Sequence, residues 1–113
     1  PANTEAGDSS LELSAVRLVD RAREGDVEAF RELVELYQKR AFAVAYGVLG
    51  NANDAEDVVQ DAFVKVFQKL HSFRGQSSFY TWLYRIVFNL SVDLSRRRYR
   101  TRELQFGDQA GVE

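Results

Sequence analysis

Apolar side chains recur along this chain at three- and four-residue spacing in four blocks, and almost nothing alternates with the two-residue period of a strand. The first block places Leu11, Ala15, Leu18 and Ala22 on one face and stops at Gly25, a residue suited to a left-handed helix end. Asp26 stands where it can cap the next helix, whose stripe is Phe30, Leu33, Val34, Tyr37, Ala41, Val44, Ala45 and Val48, ended by Gly50. The third block opens with Asn53-Asp54-Ala55-Glu56, which reads as a capping box. Its predicted buried stripe is Ala55, Val58, Val59, Ala62, Phe63, Val66, Phe67 and Leu70, leaving Glu56, Asp57, Gln60, Asp61 and Gln68 outward. A loop follows from Ser72 to Ser77, and Ser77 or Ser78 can cap a fourth helix expected to run to about Arg98. The sole proline is residue 1, so nothing interrupts these helices. The pattern predicts an all-α domain, a compact bundle of four main helices over residues 11–102. Residues 1–10 read as a flexible tail and residues 103–113 as a linker.

The fourth helix carries two stripes. At about 100° per residue, Phe79, Leu83, Ile86, Val87, Leu90 and Leu94 share a sector that faces a core. Trp82, Arg85, Asn89, Asp93 and Arg96 fall in an adjoining sector, so a mixed polar and aromatic row flanks the buried one. Beyond it, the seven residues from Arg96 to Arg102 hold five arginines. Guanidinium groups pair with phosphate and exposed aromatic faces stack unpaired bases, so this order suggests a nucleic-acid surface.

Charge sharpens that picture. The net charge of −2 conceals a division: residues 1–61 hold 6 basic and 13 acidic side chains, whereas residues 62–102 hold 9 basic and 1 acidic. A molecule so divided suits nucleic acid on one side and a protein on the other. The absence of cysteine excludes a disulfide framework, a thiolate zinc site and a cysteine nucleophile, and the single histidine, His71, has no partner for metal binding in the sequence pattern. No cofactor or metal is expected. No apolar run approaches the roughly 20 residues that span a bilayer, so no membrane insertion is expected and a cytoplasmic location is the default. Glu56 and Asp57 are adjacent and diverge on a helix, and no nucleophile–base pair is evident, which argues against an enzyme.

The motifs Ala55-Glu56-Asp57-Val58-Val59-Gln60-Asp61-Ala62-Phe63, Phe73-Arg74-Gly75 and Phe79-Tyr80-Thr81-Trp82-Leu83-Tyr84-Arg85-Ile86, followed by Asn89 and Asp93, share their order and spacing with one family. Gly25-Asp26 with Ala29-Phe30 agrees as well. The chain resembles the first helical domain, sigma region 2, of extracytoplasmic-function (ECF) sigma factors, the promoter-specificity subunits of bacterial RNA polymerase. That resemblance implies a sigma factor domain that directs transcription initiation. Glu56, Asp57, Gln60, Asp61 and Lys65 would dock on the clamp helices of the polymerase core. Phe73 and Asn89 would receive a base flipped from the single-stranded non-template minus-ten element, Asn89 offering both a donor and an acceptor. Arg74, Tyr80, Trp82, Arg85 and Asp93 would contact or help melt promoter DNA, and Arg96, Arg97, Arg98 and Arg100 would hold phosphates. The family also implies an anti-sigma factor as partner and a second, helix-turn-helix domain after residues 103–113, which leads us to expect a fragment of a longer protein.

Plainer readings stand beside these. Phe73 has the option of folding onto the core, Asn89 that of a buried polar group satisfied by a neighbouring helix, and the acidic face of the third helix that of a solvated surface. The resemblance favours an exposed Phe73. Arginines at a helix end also complement the macrodipole, although five together repel one another. A purely protein-binding adaptor is the alternative function, and it leaves the Phe73 loop and the arginines without a purpose.

Overall fold

A computed structural model describes the backbone of residues 2–112 and the side chains of residues 10–105. Four helices follow in order: α1 (Ala2–Arg23), α2 (Val27–Leu49), α3 (Ala52–Lys69) and α4 (Phe79–Val112), with a 3-10 turn, Leu70–Ser72, after α3. Helix α2 packs against all three of the others and so forms the centre of the bundle. Its inward row, Ala29, Leu33, Tyr37, Ala41 and Ala45, is mostly small, which lets the neighbouring helices approach closely. Around it close Ala15, Leu18 and Val19 of α1, Ala55, Val58, Ala62, Phe63 and Val66 of α3, and Phe79, Leu83 and Val87 of α4. Ser91 is buried too, and its hydroxyl donates to the Val87 carbonyl at 2.8 Å, so it needs no outside partner.

The ends of α2 follow the sequence signals. Asp26 accepts from the Ala29 N–H at 3.1 Å, and Arg21 donates to the same carboxylate at 2.8 Å. The Arg21 bond, then the Ala29 bond, holds the Asp26 carboxyl below its ordinary 3.8. Gly50 closes the helix at φ 65°, a conformation that its lack of a Cβ permits.

Helix α3 starts two residues earlier than its capping-box pattern suggests. Asn51, in an extended conformation, accepts from the Asp54 N–H at 2.9 Å, and Asn53 already lies inside the helix. The tail expected over residues 1–10 is helical in backbone from Ala2, and the side chains up to Ser9 lie outside the described residues.

The fourth helix differs most from expectation, continuing well past Arg98 to Val112. Arg, Glu, Leu and Gln are good helix formers and no proline intervenes, so local propensity extends the helix after the core contacts end. From Arg96 to Gln105 every side chain is exposed. An apolar period cannot mark such a stretch, because it has no core to face.

Among the described residues no helix is long and apolar enough to cross a membrane. Asn51→Ala should lower the unfolding free energy by about 1 kcal/mol, as loss of an N-cap does, whereas Asn53→Ala should change it by no more than a few tenths of that. Urea denaturation of both variants beside the parent distinguishes the two positions.

Candidate nucleic-acid interface

The loop between the 3-10 turn and α4 is anchored by Phe73. Its ring stacks on Trp82 with centroids 4.7 Å apart and meets Phe79 edge-on at 6.2 Å, leaving it only 7% exposed. The expected exposure of Phe73 is therefore corrected. The apolar area of two aromatic partners, Trp82 and Phe79, favours burying the ring over leaving it in water. Its backbone is fixed as well, with the N–H donating to Leu70 O at 3.1 Å and the carbonyl accepting from Arg23 Nη2 at 2.7 Å.

After Phe73 the chain turns at Gly75, where φ is 76°, while the Arg74 N–H donates to Gln76 Oε1 at 3.0 Å. Helix α4 is then capped twice. Ser78 Oγ, not Ser77, accepts from the Thr81 N–H at 3.1 Å, and the Glu12 carboxylate of α1 accepts from the Phe79 N–H at 3.0 Å. Arg74, Gly75 and Gln76 remain exposed at the tip.

Along α4, Trp82 is half-buried, and Arg85, Asn89, Asp93 and Arg96 are exposed in a row beside it. Asn89 is not the buried polar group of the plainer reading. It lies two helical turns from Trp82, about 10 Å along the axis. A cleft of about 280 Å³ beside the loop opens toward α1, between Glu12, Val16, Asp20 and Arg23 on one side and Phe73, Arg74 and Gly75 on the other.

Tyr80 falls on the opposite flank of α4 from Trp82. Its ring stacks on Tyr37 at 6.0 Å and carries Arg40 5.2 Å above it. Tyr37 is buried, and that desolvation, reinforced by the Glu12 charge, pushes its phenol up to about 12. Tyr80 thus belongs with this internal aromatic group and is not aligned with the Trp82–Asn89 row.

The arginines sit in the interior of a helix that runs on to Val112, so they do not compensate its C-terminal dipole, an effect confined to the last turn. Arg98 donates to Asp54 Oδ1 at 2.8 Å, tying α4 to the first turn of α3. Arg96, Arg97 and Arg100 are exposed, and at helical spacing Arg96 and Arg100 continue the Trp82–Asn89 row.

On α3, Glu56, Asp57, Gln60, Asp61 and Lys65 are all exposed. Glu56 and Gln60 border a groove between α2 and α3, whereas Asp57, Asp61 and Lys65 do not line it. The apolar part of this groove, about 510 Å³, is formed by Phe30, Val34, Phe63, Val64 and Phe67. Phe67 was expected in the core and is 61% exposed, its ring edge-on to Phe30 at 5.2 Å. It occupies the margin of a wide apolar stripe, where periodicity does not separate core from rim. Sequence reasoning also missed Glu12 and Arg23, whose partners lie 67 and 50 residues away.

Residues 33–101 match the family model Sigma-70 region 2. The ECF RNA polymerase sigma factor SigW of Bacillus subtilis is 34% identical over 88 residues, covering 78% of this chain and 47% of that protein. The ECF RNA polymerase sigma-E factor of Escherichia coli K12 is 45% identical over 80 residues, 71% of this chain and 41% of that one. The chain thus spans less than half the length of these relatives. Among solved structures, an engineered region 2 of sigmaE in complex with GTAAAA superposes with a TM-score of 0.70 at 36% identity, covering 78% of this chain and 90% of that one. CnrH in complex with the cytosolic domain of CnrY gives 0.68 at 30% identity, with 87% and 65% covered.

Burial of Phe73 has a direct consequence for stability. Phe73→Ala should cost about 3 kcal/mol, the scale of a truncated core aromatic. A thermal or urea melt indistinguishable from the parent would return this side chain to the surface.

Proposed function

The chain belongs to the Sigma-70 region 2 family, and from that premise we propose that it is the minus-ten-reading domain of an ECF sigma factor, acting with RNA polymerase in the cytoplasm. The observation that carries this reading is the row Trp82, Arg85, Asn89, Asp93, Arg96 and Arg100 on one face of α4, starting beside the 73–78 loop. A single strand laid along that face meets an aromatic edge, then a side-chain amide, then cations. The similar sigmaE region 2 complex with GTAAAA supports the same class of ligand here.

In this mechanism no covalent chemistry falls to the chain. RNA synthesis belongs to the polymerase, and the domain lowers the cost of opening the promoter. Extruding a base costs a few kcal/mol, and stacking or hydrogen bonding of the extruded base offsets it by about 1–3 kcal/mol per base. The receptor is the exposed loop tip of Arg74, Gly75 and Gln76 together with the Asn89 amide, with Phe73 as the buried anchor of the loop. Trp82 presents its free edge to the margin of the melted region, and Arg74 and Arg85 add attraction. Arg96, Arg97 and Arg100 neutralise phosphates without reading sequence. Arg98 contributes less, being held by Asp54.

Polymerase docking is assigned to a separate face, where Glu56 and Gln60 border the α2/α3 groove and Phe67 and Val64 supply exposed apolar area. Acidic and amide groups around an apolar floor suit a basic helical partner such as the clamp helices. An anti-sigma factor that covered this face or the α4 row would silence the domain. Residues 11–102 carry these functions. A protein-only adaptor is not favoured, since it leaves the α4 row unexplained.

Fluorescence anisotropy with labelled single strands tests the reading. Asn89→Ala should weaken binding of GTAAAA about tenfold while leaving a scrambled hexamer unaffected. Arg96→Gln with Arg97→Gln should weaken both strands alike and reduce the slope of log K against log salt by about 0.7 per lost phosphate contact. Equal loss on both strands for Asn89→Ala, or an unchanged salt slope for the arginine variant, would refute the respective role.

A further inference from the structure

Helix α1 lies outside residues 33–101, the part matched by the family model, yet it holds both ends of the loop that precedes α4. Arg23 donates to the Phe73 carbonyl at 2.7 Å, and Glu12 accepts from the Phe79 N–H at 3.0 Å. Between these points the loop is held by short-range bonds, Arg74 N–H to Gln76 Oε1 at 3.0 Å and Ser77 Oγ to Ser78 O at 3.1 Å. Local bonds of this kind shape a turn without placing it on the body of the fold.

Both α1 side chains are set where that placement is their evident effect. Arg23 has its Nε buried without a hydrogen-bond partner, and the nearest described carboxylate, Asp20, is 3.8 Å from Nη1. Putting a guanidinium there costs desolvation that the Phe73 bond offsets. Glu12 occupies the N-terminus of α4, where a negative charge is favoured, and takes a first-turn N–H while the Ser78 hydroxyl serves Thr81.

We infer that α1 is a strut for base selection: Arg23 and Glu12 are positioning residues that set the pose of the 73–78 loop against the Trp82–Asn89 row without touching DNA. This rests on the proposed minus-ten role of that loop and row. Through these two contacts, selectivity for the extruded base depends on side chains outside the family-matched segment. The cationic contacts of α4 stand apart from the loop, so sequence-independent affinity does not depend on the strut.

The test uses the full chain. Trp82 is its single tryptophan and stacks on Phe73, so acrylamide quenching of its emission reports the pose of the loop without DNA. Glu12→Ala and Arg23→Met should each raise that quenching. Each should lower the preference for GTAAAA over a scrambled hexamer by roughly fivefold, the scale of one net hydrogen bond, with scrambled-strand affinity unchanged. Glu12→Gln keeps an acceptor oxygen and should restore both readouts, which a general loss of stability would not do. Should Arg23→Met fail to fold, the two Glu12 variants decide alone. Unchanged quenching and preference in folded Glu12→Ala overturns the strut, as does a Glu12→Gln that behaves like Glu12→Ala. A parent chain without preference between the strands refutes the base-selection reading itself, and the quenching arm still decides whether α1 sets the loop.

Discussion

The stacking of Phe73 on Trp82 is the contact on which the proposed DNA-binding face depends. It fixes the start of the loop against the first turns of α4, and Phe79 and Tyr37, with ring centroids 5.2 Å apart, carry that corner into the centre of the bundle. Because the ring is buried, the loop gains hydrophobic anchorage at one residue and leaves the following three free to meet a ligand. A loop held only by its own turn would present those residues in many poses, and selection among bases needs one.

Helix α4 then divides its surroundings between stability and recognition. Phe79, Leu83 and Val87 are buried against the bundle, while the sector beginning at Trp82 faces outward along the same helix. A rigid helix keeps the loop, Asn89 and the arginines in fixed register, so a strand bound at one end is aligned at the other. The helix continues past the core contacts to Val112, which places the arginines in its interior and removes dipole compensation as their explanation. Arg98 lies on the far flank of α4 from the row, and its bridge to Asp54 ties α4 to α3, the helix proposed for polymerase docking.

Much of this was legible in the sequence where one residue or one period determines the outcome. Asp26 and Gly50 each perform a single local task, and the four apolar blocks correspond to the four helices. The row from Trp82 to Arg96 follows from helical geometry, so its shared face was predictable. Failures occurred where alternatives differ only in tertiary context. Asn51 and Asn53 are both good caps two residues apart, Phe67 lies at the margin of its stripe, and Phe73 had apolar neighbours available that no local pattern reveals. The stretch from Arg96 to Gln105 gave no amphipathic signal because every side chain in it is exposed. Glu12 and Arg23 looked like ordinary surface charges, since their partners are brought near only by folding.

The central claim is that the exposed side of the 73–78 loop and the outward row of α4 form one continuous surface for single-stranded DNA, separate from the α2/α3 groove. Backbone and side-chain amide chemical-shift mapping during titration with the single strand GTAAAA tests this most directly. Shifts are expected to concentrate at Arg74, Gly75 and Gln76, the Asn89 side-chain amide, and Arg96 and Arg97, with Val64 and Phe67 of α3 unmoved. Shifts centred on the α2/α3 groove, with the loop and Asn89 unchanged, would contradict it.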